Sequence, residues 1–391
     1  MKTVLNYIGS YIRHVDKFLP LLCIGLTVFD IYLVNSMVTT GIDTEVNAAT
    51  VKTQFAAAVL GVAGAFVISL FDYKLLSKYW FIYAPIALIL QLLLFTPLGL
   101  KREEADDIAW LNLGFMTVQP AEILKFVFIL TLATHIVKIG DKINSLPHLA
   151  LLLAHGVIPA AIIHFQGDDG SALVFLFVFL CMVFMAGISW KYIVAALAAI
   201  PPVIFVAWNY IMQPHHKMRV LLLFDKELQE QERRNLYLQQ YNGTIALGSG
   251  QLTGLGFDAE RYTWTPLLYN DFVFSYIGMT LGFIGCMAVV ITLAAICLNV
   301  LSNASGADDK LGRLICVGVF ATVFFHCVVN IGMVLSVMPV IGIPLPFIST
   351  GGTAMVMMHA NMGLVLSVSS HREKAKHMFY TEKDKKSWKI I

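Results

Sequence analysis

The sequence predicts an all-α integral membrane protein with ten transmembrane helices. Of its 391 residues, 58% are hydrophobic and only 13% are charged, whereas soluble proteins average about 25% charged residues. The apolar residues also gather into ten runs, each close to the length of about 20 residues that spans a bilayer as a helix. These runs cover approximately residues 18–38, 54–71, 79–97, 117–137, 147–165, 170–188, 191–212, 271–298, 312–338 and 351–369.

The distribution of Lys and Arg predicts the orientation of these helices, because positive residues favour cytoplasmic loops. With the N-terminus inside, the cytoplasmic segments hold 17 Lys and Arg residues and the short outer loops hold three. Both termini are therefore expected in the cytoplasm, with a basic tail over residues 370–391. We expect a single membrane domain over residues 1–391, with one long extracytoplasmic loop, residues 213–270, between the seventh and eighth helices.

The long loop contains a polar stretch and then a glycine cluster. The polar stretch, residues 225–241, has Glu230 and Arg234 four residues apart in the order that favours a helix. Long loops are commonly either functional or disordered, so length leaves open both a structured loop that carries chemistry and a surface linker. The glycines are Gly243, Gly248, Gly250, Gly254 and Gly256.

Charge and cysteine usage exclude several classes of protein. The net charge is +2, with no basic run before the last twenty residues, so nucleic acid is not an expected partner. The six cysteines are scattered through apolar stretches without a CxxC motif, which favours packing over metal binding. The first apolar run, about residues 18–37, carries Asp30 and lacks the cleavage site of a secretory signal, so it is expected to remain as a span.

Glu122 and Lys125 lie near the outer end of the fourth span, three residues apart and therefore on one helix face. Each would cost roughly 2.5 to 3.5 kcal/mol at the centre of a bilayer, so both must face protein or a wet cavity. Two interpretations follow. The residues either neutralise each other as a structural pair, or they line a cavity in which Lys125 binds the phosphate of a charged head group.

Other polar residues mark the outer ends of later spans. Asp168 and Asp169 open the sixth span, where the helix dipole favours negative charge; capping accounts for one of them, and the other could hold a cation or a sugar hydroxyl. Asp271 opens the eighth span, where a helix cap is the simplest interpretation. Arg219 follows the seventh span and is a candidate for anion recognition, because a guanidinium binds phosphate through two parallel hydrogen bonds.

The turn before the tenth span, residues 339–353, contains three prolines and three glycines. Irregular backbone at membrane depth is tolerated only inside protein or beside a cavity. The residues that open the span, Ser349, Thr350, Gly351 and Gly352, are expected to offer free N–H groups, an arrangement that favours anions.

Six blocks of residues follow one another along nearly the whole chain. They are Trp110 with Gln119-Pro120-Ala121-Glu122 and Lys125; Asp168 with Gly170; Arg219-Val220 before Asp225; Ala246 with Gly248-Ser249-Gly250 and Gly254-Leu255-Gly256; Asp271-Phe272-Val273-Phe274; and Pro344-Leu345-Pro346-Phe347-Ile348-Ser349-Thr350-Gly351-Gly352. Ordered blocks with a matching topology are far more specific than a single motif. Together they resemble the SEDS family of shape, elongation, division and sporulation proteins, which includes RodA, FtsW and SpoVE, and the chain is most similar to a RodA-like paralogue.

This resemblance implies a peptidoglycan glycosyltransferase of the bacterial cytoplasmic (inner) membrane. Such an enzyme polymerises lipid II into glycan strands for cell elongation, division or sporulation, and releases undecaprenyl pyrophosphate. The implied partners are lipid II, the growing lipid-linked glycan, a class B penicillin-binding protein transpeptidase, and cell-shape or divisome membrane proteins. The alternatives are a lipid II flippase and an inactive scaffold that regulates the transpeptidase.

The resemblance also implies that Asp271 is the essential acidic residue, and we expect it to act as a general base. Lys125, Arg219 or a divalent cation, Mg²⁺ or Mn²⁺, would balance the charge of the leaving pyrophosphate; the ligands of such a cation are not predicted. The residues expected to bind substrate are Trp110, Gln119, Glu122, Lys125, Asp168, Arg219, Ser349, Gly351 and Gly352.

The chain departs from the family pattern around these residues. Ala109 stands where the family usually has Arg, and Leu255 where it has Lys. The family's Glu-Glu pair after the aspartate is replaced, and so are a Glu and a His-Thr pair before it. These departures bear on the pKa of Asp271, on the metal content of the site, and on whether the chain is a fully active or a specialised paralogue. The replacements are Met279-Thr280 and Leu267, Tyr269 and Asn270.

Overall fold

The computed structural model describes residues 15–101, 107–114, 116–258 and 262–372. Most of the predicted basic tail, 370–391, therefore lies outside the described residues. In the first part of the chain, a small antiparallel sheet separates four helices from four others. The helices are α1 (Phe18–Thr40), α2 (Ala48–Leu70), α3 (Tyr73–Lys78), α4 (Trp80–Leu92), α5 (Pro120–Ile139), α6 (Leu146–His164), α7 (Asp169–Ala186) and α8 (Trp190–Val206), and the strands are β1 (Gly99–Leu100), β2 (Trp110–Asn112) and β3 (Thr117–Val118), with β2 in the middle.

The second part of the chain is helical throughout its regular structure. Three short helices follow α8, which ends in a π-helical turn at Ala207–Ile211. Three long helices come after them. These six are α9 (Pro214–Leu221), α10 (Lys226–Gln231), α11 (Leu238–Ser249), α12 (Val273–Ser305), α13 (Lys310–Val334) and α14 (Gly352–Ser370).

Nine helices within the described ranges are long and apolar enough to cross a membrane, judged by length and composition. They are α1, α2, α5, α6, α7, α8, α12, α13 and α14. At the third predicted span, 79–97, the structure has α4, which is 13 residues long, and a one-turn 3₁₀ helix at Leu93–Phe95. This segment is shorter than the others because the chain turns at Thr96 and enters β1.

The helices differ greatly in how deeply they lie in the bundle. In the most apolar stretch of α13 and of α14, 72% of residues are buried, whereas α8 has 0%. α14 packs closely on α2, because Gly363 lets the two backbones approach: a Cβ at that position would lie 2.7 Å from the Ala65 carbonyl oxygen. Small residues allow such close contacts between membrane helices. The centre of the bundle is therefore built around α13 and α14, while α8 stands at its periphery.

The predicted polar helix over residues 225–241 is wrong, because the chain turns between α10 and α11. Arg233 lies over the ring of Tyr241, 4.0 Å from its centroid, and donates to its hydroxyl. It also pairs with Glu230 at 3.6 Å, in the place of the predicted partner Arg234. The cation–π contact thus links the turn to α11.

The glycine loop, residues 250–256, fills an interruption in α12. At Gly282 the helix has φ 66° and ψ −163°, so nearby backbone groups lose their helical partners. The loop supplies replacements: the amides of Leu255 and Gly256 donate to the carbonyls of Met279 and Thr280 at 2.9 and 3.0 Å, and the amides of residues 283 and 284 donate to the loop at 2.8 and 3.1 Å.

Glycine is required in this loop by close approach. A Cβ on Gly250 would overlap the Gly278 carbonyl oxygen, and one on Gly254 would overlap that of Thr280. Gly254 also has a φ of +81°, a conformation that L side chains rarely adopt. Gly250 and Gly254 therefore have a packing role, and Met279 and Thr280 lie buried beneath the glycine loop.

Candidate functional site

Much of the candidate site surrounds the proline loop, which we define as residues 335–351 between α13 and α14. The loop is irregular, and its second half is largely buried: Ile343, Leu345 and Phe347 are at most 2% exposed. Its main-chain groups contact α2, α9, α13 and the segment before α12, as described below. The prediction that this irregular backbone lies inside protein is therefore confirmed.

Asp271 lies in a segment whose main chain is bound at three successive carbonyls. The Thr350 amide donates to Tyr269 at 3.0 Å. The Ser349 hydroxyl donates to Asn270 at 2.7 Å, and the Asn330 side chain donates to Asp271 at 2.8 Å. These bonds fix the backbone that carries the Asp271 carboxylate.

The Asp271 side chain is 6% exposed and faces the proline loop. Its Oδ2 lies 3.8 Å from the point where a Cβ on Gly342 would stand. α12 begins only at Val273, with Phe272 at its N-cap position, so the interpretation of Asp271 as the helix cap is wrong. The preceding turn includes Leu267 with φ +56°, a conformation that costs energy in a non-glycine residue.

Two residues that the sequence did not single out, His326 and Asn330, support the proline loop from α13. The Asn330 amide donates to Ile343 as well as to Asp271, each at 2.8 Å. The His326 Nδ1 lies 3.1 Å from the Pro344 carbonyl oxygen, and since a carbonyl only accepts, Nδ1 is the donor. The available signal was their spacing of four residues within an apolar span, which places both on one helix face.

Glu122 and Lys125 form a buried ion pair. The Lys125 Nζ lies 2.6 Å from Glu122 Oε1, and the side chains of Lys125 and Glu122 are 4% and 5% exposed. The same Nζ lies 3.3 Å from Nε2 of His326, which accepts because the imidazole donates through Nδ1. Lys125 therefore has two partners inside the protein, and its predicted binding to phosphate stays a prediction.

Asp168 caps α7 and binds a second predicted site residue. Its carboxylate accepts from the Ser171 amide at 2.9 Å and from the Gln119 side chain at 3.2 Å. Burial raises the pKa of Asp168, while nearby Lys125 opposes this shift. The backbone N–H of Gln119 in turn donates to the Thr353 hydroxyl at 3.3 Å, which joins the starts of α5 and α14.

Asp169, the second carboxylate at this helix start, binds two histidines. It contacts Nδ1 of His164 at the end of α6, and Nδ1 of His216 on α9 at 3.2 Å. Burial lowers the pKa of His216, and the Asp169 carboxylate acts in the opposite direction. The structure thus gives this carboxylate protein partners, where the sequence suggested a cation or a sugar hydroxyl. The sequence could not show the contact with His216, because that residue lies far from Asp169 along the chain.

Arg219 reaches the proline loop from α9. Its Nη1 donates to the Val340 carbonyl at 2.9 Å. Burial lowers the pKa of the guanidinium, whereas the Asp271 and Asp107 carboxylates act to raise it. Arg219 and the Asp271 side chain therefore face the same part of the proline loop, at Val340 and Gly342 respectively.

The amides that open α14 are mostly bound within the protein. Ser349 donates to Leu345 at 3.1 Å and Thr350 donates to Tyr269 at 3.0 Å, while Gly351 donates to the Gln54 side chain at 3.2 Å. The expectation of free N–H groups at these three positions is therefore wrong, since an irregular buried segment must satisfy its own backbone.

Gly352 and Trp110 lie at other points of this end of the molecule. Gly352 lines a cavity of about 330 Å³ between the starts of α2 and α14, together with Asn47, Ala49, Thr50, Thr53, Gln54 and Thr350. Trp110 is half-buried in β2. Two residues before it, the Ile108 amide donates to the Gln166 carbonyl at 2.8 Å, which joins the sheet to the segment before Asp168.

Across the described ranges, no three His, Cys, Asp or Glu side chains are arranged to hold a metal ion.

Comparison with known proteins decides the family. The family model of FtsW, RodA and SpoVE, described as "Cell cycle protein", matches residues 13–374. This chain belongs to the FtsW/RodA/SpoVE family. It is 30% identical over 267 residues to the "Peptidoglycan glycosyltransferase MrdB" of Escherichia coli K12, a match that covers 68% of this chain and 71% of the relative.

Solved structures agree with the assignment to the FtsW/RodA/SpoVE family. One, described as "Structural coordination of polymerization and crosslinking by a peptidoglycan synthase complex", is 25% identical, with a TM-score of 0.77 over 92% of this chain and 98% of the other. The crystal structure of Thermus thermophilus rod shape determining protein RodA is 24% identical, with a TM-score of 0.67 over 92% and 97%, and it shows the fold alone. The chain is thus a multi-pass protein of the bacterial inner membrane with a RodA-like fold.

Proposed function

We propose that this FtsW/RodA/SpoVE family chain is a peptidoglycan glycosyltransferase that polymerises lipid II and expels undecaprenyl pyrophosphate. The observation that carries the proposal is the placement of Asp271: a buried carboxylate on a backbone bound at three successive carbonyls, with the Arg219 cation bound to the same proline loop. A fixed carboxylate beside a cation meets the two needs of glycosyl transfer to a hydroxyl, a proton acceptor and a charge partner for an anionic leaving group. The name of the Escherichia coli relative supports the same reaction.

In the proposed step, Asp271 takes the proton of the 4-hydroxyl of an acceptor N-acetylglucosamine. The hydroxyl oxygen then forms a bond to C1 of the N-acetylmuramic acid at the growing end. The bond from C1 to the pyrophosphate oxygen breaks, and undecaprenyl pyrophosphate leaves with the bonding electron pair. General base catalysis of this kind typically contributes about 10² to 10⁴-fold to the rate.

Arg219 is the better candidate for contacting the leaving pyrophosphate. A guanidinium has five N–H donors in a planar fork that matches phosphate, and the Nη1 bond to Val340 accounts for one of them. Lys125 is already shared between Glu122 and His326, so we assign it a supporting electrostatic role. In this arrangement Gln119 and Asp168 help to orient the substrate beside the ion pair of Glu122 and Lys125.

A divalent cation enters this proposal only together with the substrate. Mg²⁺ usually binds through one or two carboxylates and the phosphates of its ligand, and the described residues offer no larger ligand group. Asp271 and the pyrophosphate are the groups that would share such a cation. The proposed step relies on Arg219 and does not require the metal.

We further propose ten spans, with α4 and its 3₁₀ extension as the third, both termini in the cytoplasm and residues 213–270 outside. The excess of Lys and Arg in the inner segments supports this orientation. Single cysteines in residues 213–270 should react with a membrane-impermeant maleimide added from outside. Reaction only after permeabilisation would contradict the orientation and, with it, the extracytoplasmic reaction.

The proposed partner is a class B penicillin-binding protein transpeptidase, with other cell-shape or divisome membrane proteins. The structural relative described as a synthase complex of polymerization and crosslinking supports this partnership. The deciding experiment gives purified lipid II to the purified protein, alone and with the transpeptidase. Glycan strands on gels are expected in at least one case. Lipid II translocation in vesicles without polymer would identify a flippase, and stimulation of the transpeptidase without either would identify a scaffold.

A further inference from the structure

Asp30 is a carboxyl group inside the apolar first span and is 0% exposed. Polar groups buried in a membrane segment are costly unless they are bonded, and they commonly serve a function. Its Oδ2 accepts a hydrogen bond of 2.6 Å from Nε2 of Gln54 on α2. Its Oδ1 has no hydrogen-bond partner in the part of the chain that the structure describes. The proposed reaction makes no direct use of this carboxyl group.

Gln54 joins Asp30 to the start of α14. Its Nε2 also donates to the Ser349 carbonyl at 3.4 Å, and its Oε1 accepts from the Gly351 amide at 3.2 Å. A glutamine amide has two N–H donors and one carbonyl acceptor, so all three parts of the group are in use. A flipped amide would set its oxygen against Asp30 and its NH₂ against the Gly351 N–H. Asp30 therefore helps to fix the orientation of Gln54.

The residues that Gln54 binds are adjacent to those that hold Asp271. The Ser349 hydroxyl donates to the Asn270 carbonyl and the Thr350 amide donates to the Tyr269 carbonyl. A continuous series of hydrogen bonds thus leads from Asp30 on α1 through Gln54 to residues 349–351 and to the segment that carries Asp271. We infer that Asp30 is a positioning residue for Asp271, acting through Gln54. The inference rests on the proposed function of Asp271.

The first test exchanges the carboxyl group of Asp30 and the amide group of Gln54, which are in contact. Gln54→Glu places a second carboxyl group against Asp30 and is expected to lower kcat for polymerisation about tenfold. Asp30→Asn keeps an oxygen acceptor for Gln54 and is expected to stay within about twofold of the parent. When both substitutions are combined, the new amide on α1 can donate to the new carboxylate on α2, so kcat should recover to within about threefold of the parent. KM for lipid II should change little throughout.

Thr27→Val is the matched control. Thr27 lies on the same face of α1, one turn deeper, and its hydroxyl makes a buried contact of 2.9 Å with Nε2 of His359 on α14. The substitution removes a polar contact made by the same helix without touching residues 349–351. Its kcat is expected to equal that of the parent. A loss equal to that of Gln54→Glu, or a double variant no better than Gln54→Glu, overturns the inference.

A second measurement does not depend on activity. In an Asn270→Cys background, the rate of reaction with a water-soluble maleimide reports how firmly the segment before Asp271 is held. Asp30→Ala should increase that rate about tenfold, while Asp30→Asn should leave it unchanged. An unchanged rate in Asp30→Ala overturns the inference even if no variant makes polymer. Faster labelling together with an inactive parent protein would retain the positioning and reject the proposed reaction.

Discussion

The proline loop and the glycine loop are both irregular segments packed against the helical bundle, and they are held in opposite ways. The proline loop is held chiefly by side chains, those of Arg219, His326, Asn330 and Gln54. The glycine loop is held by main-chain bonds to α12 at positions where a side chain would not fit. Substitutions can adjust the first loop one bond at a time. The second depends on the absence of side chains.

The largest effect is expected at the carboxylate that the proline loop surrounds. Asp271→Asn keeps the size and hydrogen-bonding shape of the side chain but removes the proton acceptor. Lipid II polymerisation should fall at least about 10²-fold, while membrane insertion, thermal stability and binding to the transpeptidase remain those of the parent. Near-normal polymer from this variant would remove Asp271 from the mechanism and favour a flippase or scaffold.

The next effect tests the side-chain support of the proline loop. Asn330→Ala removes the donor to two buried carbonyls, those of Asp271 and Ile343, and each unmet group costs about 1–3 kcal/mol. We expect kcat to fall about tenfold or more, because the backbone beside Asp271 is no longer fixed. Asn303→Ala serves as the control, since Asn303 binds Asp16 and Arg372 at the other end of the bundle. Equal losses of kcat in both variants would point to a general loss of stability.

A substitution in the glycine loop should be detected first as a loss of stability. Gly254→Ala forces a Cβ against the Thr280 carbonyl at a φ of +81°, which should lower the free energy of unfolding by about 1–3 kcal/mol. Gly248→Ala is the matched control, because a Cβ there meets nothing within 4 Å. Thermal unfolding in detergent measures both. If Gly254→Ala melts at the same temperature as Gly248→Ala, the glycine loop does not depend on the absence of a side chain at this position, and the contrast between the two loops is wrong.

The smallest effect concerns pH and the attachment of α9, from which Arg219 reaches the proline loop. Burial lowers the pKa of His216 in the folded protein, so the folded state binds this proton less readily than the unfolded state does. The contribution of His216 to stability is therefore present above its ordinary pKa and is lost as the pH falls through the folded value. His216→Asn should make the melting temperature less sensitive to acidification between about pH 7 and about pH 5. An identical pH dependence in both proteins would contradict this role.

Local patterns in the sequence predicted much of this architecture, and contacts between distant segments lay beyond them. The apolar runs predicted the long helices, and a spacing of three residues predicted the pair of Glu122 and Lys125. The cap formed by Asp168 also followed from local position. By contrast, the partner of Asp169 on α9 and the bond between Asp30 and Gln54 depend on how helices pack. The role of the glycine cluster also depends on packing, because a sequence shows the glycines but not the backbone carbonyls that they approach.

The interruption of α12 at Gly282 makes the N-terminal part of that helix a lever arm. The segment from Val273 to Leu281 is about 13 Å long at about 1.5 Å per residue, and Asp271 lies just beyond its N-terminal end. The four main-chain bonds of the glycine loop set the angle at the other end. A rotation of about 10° there would move the carboxylate by about 2 Å, more than the roughly 1 Å of misplacement that can cost an enzyme 10²-fold in rate. The folded glycine loop thus keeps the carboxylate aligned, although none of its residues needs to touch the substrate.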